Sequence, residues 1–111
     1  MRMIEEMKKT LKMEVRENSE GDVYLEAVVE RRDLESLRSI LIKYLGPEAK
    51  EPGKDAVFPE NVQKVVDALG GLYIGQSFFC KEEGGDILFA ALWPWESNPD
   101  KITLKCGIEK V

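Results

Sequence analysis

The sequence has no histidine and only two cysteines, and both shortages exclude chemistry. Without histidine there is no imidazole to ligate a metal, to activate a serine or cysteine, or to act as a general base near neutral pH. Cys80 and Cys106 are too few and too far apart for a disulfide framework or a zinc site. No glycine-rich phosphate loop is present, because Gly70–Gly71 follows a predicted helix and Gly84–Gly85 lies in a predicted hairpin. We therefore predict no metal, no cofactor and no catalytic residue.

Positive charge and long apolar runs are also scarce. The chain carries 16 basic against 21 acidic residues, a net charge of -5, which argues against a nucleic-acid partner. No apolar run approaches the roughly 20 residues of a membrane span, and acidic residues occupy the N-terminus where a signal peptide needs an apolar core. We expect a soluble, cytoplasmic protein with no membrane partner. Its many Glu and Lys and few Asn and Gln are typical of proteins from very hot environments.

At 111 residues the chain is expected to form one domain, 1–111. Apolar residues at helical spacing predict a short N-terminal helix from about Arg2 to Thr10. Alternating apolar residues and the turn-forming stretch 17–22 favour a hairpin of strands near 12–17 and 23–30. The alternative interpretation is one helix that continues to about Glu17, followed by a single strand.

Two amphipathic helices are predicted in the middle of the chain. The first covers 33–45, with Asp33 as the N-cap and Gly46 at the C-terminal end. The second covers 59–69, with Pro59 in its first turn. The charged segment 46–57 between them predicts an irregular surface loop, and loops this long are sometimes functional.

The C-terminal third predicts three strands, at 72–81, 86–93 and 101–109. Strand 86–93 is apolar on both faces, so we place it in the middle of an antiparallel meander. Cys80 and Cys106 then lie two strand spacings apart, roughly 9–10 Å, and should be free thiols. The predicted fold is α+β: an antiparallel sheet of four to five strands, with the two amphipathic helices packed on one face and the short N-terminal helix.

Two tryptophans flank a proline at Trp93-Pro94-Trp95. In an extended chain both indoles point to one side, and Pro94 donates no ladder hydrogen bond, so the segment belongs at a strand end or sheet edge. Aromatic residues are enriched at interface cores, which makes this edge a candidate contact surface. Core packing is the competing interpretation, because aromatic side chains also dominate core energetics.

These patterns support three hypotheses about function. The leading one is a non-catalytic interaction module that self-associates or binds another protein through the Trp93–Trp95 edge. The alternative is a small-molecule-binding domain, with an aromatic pocket between sheet and helices near Tyr73, Phe79 and Trp93. The third is a cofactor-free enzyme that uses carboxylates or lysine. An exposed apolar patch, a closed pocket and convergent titratable groups, respectively, distinguish them.

Overall fold

In residues 2–21 and 23–110, which the computed structural model describes, the chain forms three α-helices and five β-strands. The helices are α1 (Arg2–Thr10), α2 (Leu34–Leu45) and α3 (Glu60–Ala68). The strands are β1 (Met13–Val15), β2 (Tyr24–Glu30), β3 (Ser77–Glu83), β4 (Asp86–Pro94) and β5 (Lys101–Lys110). The α+β class is confirmed, and none of the described helices has the length and apolarity to cross a membrane.

The sheet is antiparallel throughout, in the order β1-β2-β5-β4-β3. The C-terminal meander with β4 in its middle is therefore confirmed. The N-terminal hairpin is also confirmed over the single-helix alternative, although β1 is shorter than the predicted strand 12–17. The predicted turn before β2 includes Asp22, which lies outside the described residues.

Helices cover both faces of the sheet, which corrects the prediction that α2 and α3 share one face. One core cluster joins α1 and α2 to the face that carries Phe79, whereas a second joins α3 to the face that carries Phe78. Neighbouring residues of a strand point to opposite faces, and both phenylalanines are fully buried, so each face needs its own cover. On its face α3 packs mainly over β3 and β4.

Asp33 does not cap α2 with its side chain, contrary to prediction. The chain enters α2 through a 3-10 turn, Arg31–Asp33, in which the Leu34 N–H donates to the Arg31 carbonyl. Asp33 therefore has φ −95° and ψ 4° rather than the extended backbone of a typical N-cap. The other end is as predicted: Gly46 has φ 82°, and its N–H donates to the Ile42 carbonyl at 2.9 Å.

The segment 72–76 is a turn and not the start of β3, which corrects the predicted strand 72–81. The Gln76 N–H donates to the Tyr73 carbonyl at 3.0 Å, and the Gln76 side-chain oxygen accepts from the Tyr73 N–H at 2.8 Å. This reciprocal pair occupies both backbone groups of Tyr73, so that residue does not join the ladder.

Both cysteines are free, as predicted, and β4 separates their strands. Cys80 is half-buried beside the α3 cluster, and Cys106 is buried in the other cluster. Burial raises the pKa of both thiols, that of Cys106 to about 12. Because the thiolate is the reactive form, neither cysteine is an activated nucleophile.

Candidate functional site

The four residues selected from the sequence do not form one pocket. Phe79 is fully buried against α2, where the Arg38 guanidinium lies 5.8 Å from its ring centre. Trp93 packs at the margin of the α3 cluster on the other face. Tyr73, by contrast, is 73% exposed and lines a groove together with the half-buried Trp95. Tyr73 and Trp95 are therefore brought together, and Phe79 lies apart from any surface.

The two indoles reach the same face of the sheet. The Trp95 Nε1–H donates to Thr103 Oγ1 at 2.8 Å, and Thr103 is the cross-strand partner of Trp93. The Lys105 amino group lies 5.1 Å from the Trp93 ring centre, within cation–π range. Trp93 is thus engaged by its own chain, whereas the Trp95 ring is held at the sheet end by one hydrogen bond and borders the groove.

The Tyr73–Trp95 groove runs between the turn that precedes β3 and the end of β4. Its volume is about 430 Å³. Its lining consists of Tyr73, Ile74, Gly75, Gln76, Pro94, Trp95 and Glu96. The Ile74 side chain, 54% exposed, stands beside Tyr73 on one wall, and Pro94 and Trp95 form the other. The groove is open to solvent and mostly apolar.

A buried lysine fixes the position of the first wall. Lys50 is only 5% exposed, and its Nζ donates to the carbonyls of Gln76 at 2.7 Å, Ile74 at 3.0 Å and Glu51 at 3.2 Å. The Lys50 backbone also pairs with Phe78, which joins the segment 46–57 to the outer side of β3. The segment 46–57, whose role the sequence did not indicate, therefore holds the first wall of the groove in position.

Sequence reasoning missed Lys50, and no local signal identifies it. The residue lies in a charged segment where a lysine is expected to be solvated. Two of its three acceptors are main-chain carbonyls 24 and 26 residues away, which leave no trace in the side-chain pattern.

A second hollow, of about 640 Å³, lies on the part of the α3 face near β1 and β2. Its main carboxylate, Glu26, accepts from the Tyr24 hydroxyl at 3.1 Å and lies 3.7 Å from the Lys105 amino group. Burial, together with the Glu26 charge, raises the pKa of Tyr24. Glu26 is thus paired with Lys105, Glu14 lies 3.5 Å from Arg16, and among the described residues no group of three metal-ligating side chains converges. We assign this cluster a structural role.

No family model, curated protein or solved structure matches the chain. Function can therefore be inferred only from the geometry of the chain itself.

Proposed function

We propose that this protein is a non-catalytic interaction module of the cytoplasm, and that its Tyr73–Trp95 groove binds an apolar anchor side chain of a partner protein. The observation that carries the proposal is the combination of exposed apolar walls with a fixed backbone. Tyr73 and Ile74 are exposed to solvent, and the turn that holds them is pinned by Lys50 and Gln76.

Exposed apolar surface bordered by polar groups marks interaction sites in soluble proteins. Tryptophan and tyrosine are the residues most enriched among the hot spots of such surfaces. Because the Lys50 and Gln76 hydrogen bonds already order the backbone of this wall, binding costs little backbone conformational entropy there. These three properties coincide at the groove.

The open form of the groove favours a polypeptide over a small molecule, which is better held in an enclosed cavity. An aromatic small molecule is the alternative ligand, and the groove volume favours it, since about 430 Å³ lies within the range of ligand sites. A second copy of the chain is another polypeptide that could supply the anchor. If a second copy supplies the anchor, the wild type is a dimer in solution and Trp95→Ala has the mass of a monomer.

The proposal is tested by selecting peptides from a phage-displayed random library on the folded protein and measuring their affinities by calorimetry. We expect the selected peptides to share an aromatic or branched apolar residue. Trp95→Ala should weaken their binding by about 30-fold, the equivalent of about 2 kcal/mol at a hot spot.

A matched pair of isoleucines provides the control. Ile74 lines the groove and is 54% exposed, whereas Ile42 lies on α2 and is 44% exposed. Ile74→Ala should weaken peptide binding by about tenfold, and Ile42→Ala should leave it unchanged within about twofold. Equal effects of the two substitutions, or selected peptides without a common anchor, would refute the groove as the site.

A further inference from the structure

The edge strand β1 presents backbone groups that face away from the sheet. The Arg16 N–H donates to the Glu26 carbonyl at 2.7 Å, so Arg16 continues the β1–β2 ladder as a residue that faces β2. In an antiparallel ladder, residues that face the partner alternate with residues that do not. Glu14 therefore faces β2 as well, and Met13 and Val15 direct their N–H and C=O groups outward.

The opposite edge of the sheet is already paired at Phe78, and in this it differs from β1. On β3, the Phe78 carbonyl accepts from the N–H groups of Ala49 and Lys50, and the Phe78 N–H donates to the Lys50 carbonyl. The rest of β3 continues into the charged residues 81–83. Within residues 2–21 and 23–110, no segment pairs with the outer side of β1. An unprotected edge is a template for another strand.

The side chains of β1 show which strand fits that edge. Val15 is 47% exposed, and Glu14 and Arg16 extend from the opposite face of the strand with side chains 70% and 41% exposed. Antiparallel pairing of two copies about a two-fold axis at Val15 places Val15 opposite Val15. It also places Glu14 of each copy opposite Arg16 of the other, twice. The edge is thus complementary to itself in hydrogen bonding, in apolar contact and in charge.

The neighbouring registers are worse. An axis at Glu14 opposes two glutamates and sets Lys12 against Arg16, and like charges directly opposite are destabilising. An axis at Met13 opposes Lys12 with Glu14, but it sets the exposed Val15 against Leu11, which precedes β1 and is buried in the α1–α2 core. The axis at Val15 is the register that combines opposite charges with contact between the two exposed Val15 side chains.

We propose that two copies of this chain pair along β1 in that register and form one ten-stranded sheet, five strands from each copy. The groove lies at the β3–β4 side of the sheet and stays free, so this dimer does not depend on the function proposed above. Pairing of so short a strand buries much less than the ~1,600 Å² of a standard interface. We therefore expect a dissociation constant between about 10 µM and about 1 mM.

Sedimentation equilibrium over a concentration series tests the pairing with charge reversals. Arg16→Glu opposes glutamates in both contacts, and Glu14→Arg opposes arginines, so each variant alone should weaken the dimer at least about tenfold. A mixture of the two variants opposes arginines with glutamates at both contacts and should restore association. We expect both variants to fold, because the side chains at both positions are exposed. Thermal melts check that they do.

Trp95→Ala keeps the β1 edge intact and should leave the dimer unchanged. The proposal is overturned if the wild type is a monomer up to millimolar concentration, or if a dimer persists in both single variants. It is also overturned if the mixture fails to associate. A dimer abolished by Trp95→Ala but not by the charge reversals would instead place self-association at the groove.

Discussion

Replacement of Lys50 by methionine should loosen the wall of the groove and destabilise the fold. Methionine keeps most of the apolar stem but leaves the Ile74 and Gln76 carbonyls without the Nζ donor. Hydrogen bonds to a charged donor contribute about 1.5–3 kcal/mol each. Part of that gain is offset by the desolvation of the amino group, which the substitution removes. We expect a net loss of about 2 kcal/mol in the free energy of unfolding.

The assay is urea unfolding followed by tryptophan fluorescence, with the midpoint and the slope fitted separately. Lys54→Met is the matched control, because the Lys54 side chain is 73% exposed and pairs only at the surface with Glu51. That variant should lose less than about 0.5 kcal/mol. Equal stability of Lys50→Met and Lys54→Met would contradict this prediction, since the buried hydrogen bonds would then contribute nothing.

Two further predictions concern stability alone. Burial raises the pKa of Cys106 to about 12, so the folded state keeps the thiol proton at a pH where the unfolded chain loses it. The contribution of this difference in pKa to the free energy of unfolding is fully present below about pH 8.5, and it is lost as the pH rises from there towards about 12. Unfolding free energies measured between about pH 8 and about pH 10.5 should therefore fall less steeply in Cys106→Ala than in wild type, and parallel slopes would contradict this. Gly107→Ala should cost about 1–3 kcal/mol, because the added Cβ would clash with the Val23 carbonyl oxygen. Gly75→Ala, where a Cβ meets nothing within 4 Å, should cost no more than about 0.5 kcal/mol, and equal melting temperatures for the two variants would contradict the clash.

The central strand could be predicted from the sequence because its evidence is local. The run Ile87 to Trp93 is apolar at every position, as a strand covered on both faces requires, and its length is that of a strand rather than a buried helix. The same logic applied to Phe78 and Phe79 indicates that both faces of β3 are covered. The face of the sheet that α3 covers could not be predicted, because the apolar stripe of α3 is the same whichever face it packs against.

The sequence pointed to one residue on each wall of the candidate site, Trp95 and Tyr73, since aromatic residues and the proline between the tryptophans are informative on their own. It did not show how the Tyr73 wall is held, which depends on the Gln76 side chain and on Lys50, two polar residues whose partners are backbone atoms. Such partners are set by tertiary structure, so the groove emerged only once the turn before β3 was placed beside the end of β4.

The two tryptophans offer a direct test of whether the Tyr73–Trp95 groove is the binding surface. In a ¹H–¹⁵N NMR titration with a selected peptide, each indole N–H gives one resonance, and Trp95→Phe assigns them. We predict that the Trp95 resonance and the backbone amides of 73–76 shift together, while the Trp93 resonance and the amides of β1 stay in place. Shifts confined to Trp93 or to β1, or no shift at saturating peptide, would show that the groove is not the binding surface.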